Sequence, residues 1–131
     1  MSAVYFAVFK GEQKCKIGCT DDTFEKRAQS FPLQTVRHEV LLEIPTSAMS
    51  QFAWNVETHL LAHLRTKGNW INETGANTWE YFYNPHETYE HAVSFLPVAI
   101  EMASLQERFK RIQKNWGSDR QSVSIRLNSK K

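Results

Sequence analysis

The sequence predicts a small α/β domain of the α+β kind: a three-stranded, mainly antiparallel sheet flanked by helices, followed by a C-terminal helical extension. Three observations lead there. The chain has 131 residues, enough for one hydrophobic core and a short appendage. Its 41% hydrophobic and 12% aromatic residues, four Trp among them, give ample side-chain mass to bury. Short β-branched and aromatic runs also alternate with stretches of helical period along the first half.

The first strand is Ala3–Phe9, a continuous apolar run of the kind that is buried on both faces. Lys10–Gln13 is polar and contains Gly11, as a hairpin connection requires. Lys14–Cys19 alternates, with Lys14, Lys16 and Gly18 on one face and Cys15, Ile17 and Cys19 on the other. Asp22 with Glu25 three residues on forms a capping box, which starts a first helix that Pro32 limits. Thr35–Ile44 is the third strand, with Val36, Val40 and Leu42 assigned to one face and Pro45 as its stop. A second helix is expected from about Ser47 to Arg65, with Gly68 past its end.

Residues 68–84 read as a loop leading into a short strand or packed aromatic segment at Trp79–Tyr83. Helical pattern resumes near His86, and Pro97 either kinks that helix or starts another. Val98, Met102, Leu105, Phe109, Ile112 and Trp116 then recur at coiled-coil spacing, a seam suited to a homodimer through residues 98–116. Gly117 ends the seam, and the Ser-rich charged remainder reads as a mobile tail. The chain thus divides at 96/97 into a first domain (1–96) and an amphipathic helix with a basic tail (97–131).

The net charge of +2 hides an asymmetry. Residues 1–106 carry 8 basic and 12 acidic side chains, whereas 107–131 carry 8 basic and 2 acidic. A basic end on an acidic body suits a polyanionic partner, with Arg108, Lys110, Arg111 and Lys114 the candidate contacts. The longest apolar run has seven residues, so no membrane span is expected, and no basic region precedes it as in a secretory signal. Two cysteines do not make a disulfide framework, which points to a reducing, cytoplasmic location. Cys15, Cys19, His59 and His63 match zinc-ligand types, but their halves lie too far apart for a finger, and small buried strand residues explain the cysteines better.

Two charges stand where apolar residues belong. Glu57 interrupts the stripe Ala53, Val56, Leu60, Leu61 and Leu64, and Arg27 interrupts Phe24, Ala28 and Phe31. Charge on a core-facing position is costly unless it is paired, hydrogen-bonded or bound to a metal. Two readings follow: a structural Arg27–Glu57 pair, or a small polar site between helices and sheet with Lys16 as its third member.

The order of these features resembles the GIY-YIG nuclease superfamily. Ala3-Val4-Tyr5 stands where that family has Gly-Ile-Tyr, and Lys16-Ile17-Gly18 where it has Tyr-Ile-Gly. Arg27 follows on a helix and Glu57 on a later one. The short bacterial and phage branch is most similar, with Thr20 after the second motif and an acidic-aromatic close like Trp79-Glu80-Tyr81-Phe82. The resemblance covers about residues 3–83.

It implies metal-dependent hydrolysis of phosphodiester bonds, mostly in DNA, with RNA not excluded. Glu57 would be the ligand to Mg²⁺ (or Mn²⁺), which needs few protein oxygens. Arg27 would brace the scissile phosphate, and Tyr5 would be the general base, helped by Lys16 toward its phenolate. The departures are Ala3 for Gly, Lys16 for Tyr, and Leu61 where the branch often has His. His59 and His63 lie on either side of Leu61 and are candidate site-lining residues. None of Asn69, Asn72 and Asn77 clearly matches the family's Asn. The competing function is a catalytically inactive module of this fold that binds nucleic acid or protein.

Overall fold

The structure, a computed structural model, describes residues 2–45, 50–71 and 80–118, the side chains of residues 50 and 114–118 excepted. The expected tail, the start of the second helix at 47–49 and most of the Asn-rich loop fall outside those residues. Strand β1 (Ser2–Phe9) pairs antiparallel with β2 (Lys14–Thr20) through the Gly11 turn, and with β3 (Thr35–Ile44) on its other side. Helix α1 (Phe24–Ala28) lies between β2 and β3 in the chain. Helix α2 (Ser50–Leu64) ends in a 3₁₀ turn at Arg65–Lys67, where Gly68 takes the left-handed conformation (φ 88°) that favours glycine. Strand β4 (Tyr81–Tyr83) leads into the long helix α3 (Pro85–Ser118).

The sheet has four strands in the order β3-β1-β2-β4, one more than expected. The addition is the aromatic segment, whose Phe82 pairs with Cys15 and is fully buried. A three-residue strand has too little alternation for sequence pattern to distinguish it from packed coil.

Each face of β1 serves a different core. Val4, Phe6 and Val8, with Cys15 and Ile17, pack against Val56, Leu60 and Leu64 of α2 and Ala92, Ala99 and Ala103 of α3. Tyr5 and Ala7 face the other way, onto Phe24, Ala28 and Phe31 around α1. Burial on both faces explains why the sequence of β1 does not alternate.

Two local expectations are corrected, and of the two readings of Pro97 the start of a new helix is set aside. The N-cap of α1 is Thr23, whose hydroxyl accepts from the Lys26 N–H at 3.2 Å; Asp22 accepts from the Thr23 N–H instead. Strand β3 does not keep Val36, Val40 and Leu42 on one buried face. A register shift beside Leu41 interrupts the alternation, leaving Val36 and Val40 exposed on an edge strand and Leu41 and Leu42 against the core. Pro97 lies inside α3, which runs through residues 96 and 97 without a break and carries Ala92 and Ala99 into the same core. No helix among the described residues is long and apolar enough to cross a membrane.

Candidate active site

Tyr5 is opposite Gly18 in the β1–β2 ladder, and Lys16 is two pairs along, opposite Ala7. Both side chains therefore emerge on the α1 face. The Tyr5 ring is fully buried, edge-on to Phe24 at 5.1 Å and tilted against Phe31 at 6.0 Å. It lies flat over Gly18: a Cβ there would stand 2.6 Å from the Tyr5 Cζ and closer still to its hydroxyl. That approach explains a glycine within a strand that otherwise favours side chains.

The Tyr5 hydroxyl is buried and makes no hydrogen bond of ordinary geometry. Burial pushes its pKa far above the usual phenol range. Arg27 is the cation that most favours the phenolate, whereas Glu57 and Cys19 oppose it. The help expected from Lys16 thus comes chiefly from Arg27.

Lys16 is 3% exposed, and its ammonium pairs with the Glu80 carboxylate just before β4. It also lies 5.2 Å from the Tyr81 ring centroid and 5.5 Å from that of Phe31. Burial lowers its pKa to about 8, with the Glu57 charge opposing and Arg27 adding to the shift. Glu80 is the member of the cluster that sequence reasoning left without a role. Its only signal was an acidic residue within a run of aromatics.

Arg27 does not occupy the core. Helix α1 has only five residues, and Arg27 is exposed at its last turn. Its guanidinium donates to the Ser30 hydroxyl at 3.4 Å and lies 6.0 Å from the Phe31 ring centroid. The side chain runs along the aromatic cluster and leaves its charge at the rim.

Glu57, from α2, is 5% exposed. Among the described residues it forms no ion pair, so the structural Arg27–Glu57 bridge is not made. Burial raises its pKa, opposed by the Cys19 thiol and N–H and by the charges of Lys16 and Arg27. Cys19 responds in turn: burial and Glu57 push its thiol up to about 12, so it is no nucleophile. A cavity of about 280 Å³ lies beside Cys19, lined by Thr20, Asp21, Gln51 and Trp54.

Among the described residues no three His, Cys, Asp or Glu side chains gather as a metal-binding group. A buried carboxylate that forms no ion pair among the described residues is nevertheless compatible with Mg²⁺, which keeps several waters and takes one or two carboxylates. His59 and His63 turn elsewhere. Two and six residues past Glu57, they lie roughly 200–240° around the helix from it. Accordingly His59 Nε2 meets Gln106 Oε1 at 2.7 Å, and His63 stacks on Phe95 at 3.8 Å, both in α3. Arg108, Lys110 and Arg111 are exposed on α3, apart from this cluster in the chain and in the elements they touch; the side chain of Lys114 is outside the described set.

Tyr5, Lys16, Arg27 and Glu57 thus come from β1, β2, α1 and α2, and their charges are felt across one another. Such an arrangement can hold an anion at Arg27, a cation at Glu57 and a buried phenol between them. No protein-family model, curated protein or solved structure matches the chain.

Proposed function

We propose that the protein is a metal-dependent DNA endonuclease of GIY-YIG type, cleaving phosphodiester bonds at Tyr5, Lys16, Arg27 and Glu57, in a reducing cytoplasm that suits its free cysteines. The observation that carries this reading is Glu57: a buried carboxylate that forms no ion pair among the described residues, coupled to a buried phenol and an exposed arginine. Burying a carboxylate that forms no ion pair among the described residues is costly, and a dedicated cation site is one physical reason to keep it.

In this reading Arg27 offers paired donors to the scissile phosphate from the rim, where a duplex can reach it. Tyr5 is held by Gly18, Phe24 and Phe31 and, as its phenolate, would take the proton from the attacking water, becoming the neutral phenol. Arg27 lowers the cost of the phenolate at that moment. Lys16, clamped by Glu80, offsets part of the Glu57 charge. A divalent cation at Glu57, when bound, supplies charge against the departing oxygen. The basic residues of α3 and the tail hold the DNA backbone without reading sequence.

A second reading, a non-catalytic module that binds nucleic acid, is favoured by two of the same observations. Burial holds Tyr5 protonated, and the Lys16 ammonium is already engaged by Glu80. Titration with Mn²⁺ followed by electron paramagnetic resonance tests the proposal. It predicts one site in the wild-type protein that Glu57→Gln abolishes. No bound Mn²⁺, or equal binding by both proteins, would remove Glu57 as the metal ligand and leave the binding module.

A further inference from the structure

Helix α3 carries two apolar stripes, one packed on its own domain, where Phe95, Leu96 and Ile100 lie partly buried against the core, and one facing solvent. Towards α2 and the sheet it buries Ala92, Ala99 and Ala103. Towards solvent it presents Val98, Met102, Leu105, Phe109 and Ile112, which are 45%, 39%, 48%, 60% and 47% exposed. A helix that covers only its own domain needs one apolar stripe and presents polar residues on its opposite face. This one leaves a stripe at alternating spacings of four and three, so Met102 and Phe109 fall at heptad a positions and Val98, Leu105 and Ile112 at d.

We propose that this stripe is the seam of a homodimer, in which α3 pairs antiparallel with α3 of a second copy. A strict a/d stripe is narrow, as a facing helix requires; a lipid surface favours a broad apolar face. Charge then selects the orientation. Glu101 and Arg108 are both exposed, form no ion pair among the described residues, and occupy successive g positions. In an antiparallel pair g residues meet g residues across the seam. Placing Met102 against the partner's Leu105, and Val98 against the partner's Phe109, brings Glu101 beside the partner's Arg108 twice by symmetry.

The alternatives lose that match. Sliding the antiparallel pair by one heptad sets Arg108 against the partner's Arg108. A parallel pair matches g with e, and so places Glu101 against the partner's Gln106 and Arg108 against the partner's Gln113. It also aligns two basic ends, each carrying 8 basic and 2 acidic residues over 107–131. Only the antiparallel arrangement pairs the charges and separates the tails.

The inference does not depend on catalysis, and its test reads mass alone, so its failure and that of the nuclease reading are distinguishable. Full-length protein is examined by sedimentation equilibrium at micromolar concentration. The wild type is expected at twice the chain mass. Glu101→Arg alone and Arg108→Glu alone each place like charges in register, and should weaken the dimer at least about tenfold. Both sites are exposed, and circular dichroism should show the fold unchanged. An equimolar mixture of the two single variants should recover the dimer as a heterodimer, and the double variant should recover it alone. A wild-type monomer would overturn the proposal, whether the seam is covered by the chain's own tail or awaits another protein. So would a dimer whose mass ignores the charge exchange, since Glu101 and Arg108 would then not meet.

Discussion

Tyr5 and Gly18 set the tightest steric condition in the site. The Tyr5 ring is fixed between Phe24 and Phe31 and cannot swing away from an added methyl group. Gly18→Ala should therefore cost about 1–3 kcal/mol, the usual cost of overpacking, read as a lowered thermal midpoint. An unchanged midpoint would show that the ring is free to move. Glu57 yields a prediction in pH. Because burial raises its folded pKa, its ionised form is penalised in the fold. That penalty is complete above the raised value and disappears as pH falls below the unfolded carboxylate value of about 4.3. With a chelator present, Glu57→Gln should be the more stable protein at pH 7, and the difference should shrink on acidification. A less stable Gln variant at pH 7 would mean that the carboxylate supports the fold. Glu57 was legible in sequence because a charge inside an apolar stripe is conspicuous, and Lys16 because it is a charge on a short strand. Tyr5 was singled out only by the resemblance of Ala3-Val4-Tyr5 to a family motif. The placement of Arg27 was not legible, since α1 is too short for period to fix its face. Glu80 stayed hidden because its neighbours are aromatic on both sides of any alternation.

Among the elements, β4 shows how far pattern reading reaches. Its strand character depends on pairing with β2 and on Phe82, which no periodicity in three residues could reveal. Phe82→Ala should cost about 3–5 kcal/mol in chemical denaturation, as for other aromatic truncations in a core. A loss below about 1 kcal/mol would mean the site collapses around the gap and that β4 is not a closing strand. Strands β1 and β2 were legible from composition and the Gly11 turn, and α2 from its stripe. The irregularity beside Leu41 in β3 was not, because an extra residue leaves no compositional mark. Pro97 is a similar case. Its local tendency to break a helix is outweighed by tertiary packing, which seats Ala92 before it and Ala99 after it in one core.

For the whole molecule, the split of charge between an acidic body and a basic end assigns each a task. The body holds the cluster of Tyr5, Lys16, Arg27 and Glu57, and in the proposed reading the basic end would meet the polyanion. Truncation after Trp116 removes Arg120, Arg126, Lys130 and Lys131, which should weaken DNA binding. The slope of log affinity against log salt should also flatten by up to about 4, nearly one unit for each lost phosphate contact. Unchanged binding would contradict a DNA-contacting tail. If the proposed cluster is catalytic, there is one per chain, and cutting both strands would need a second copy or a second encounter. The most direct test of the central claim is conversion of supercoiled plasmid to nicked circles, with purified wild type and Glu57→Gln side by side. With Mg²⁺ or Mn²⁺ the wild type should nick and Glu57→Gln should be slower by at least about 100-fold, as for loss of a principal electrostatic group, and chelator should silence both. Equal nicking by the two proteins, or none by either, would contradict a nuclease centred on Glu57.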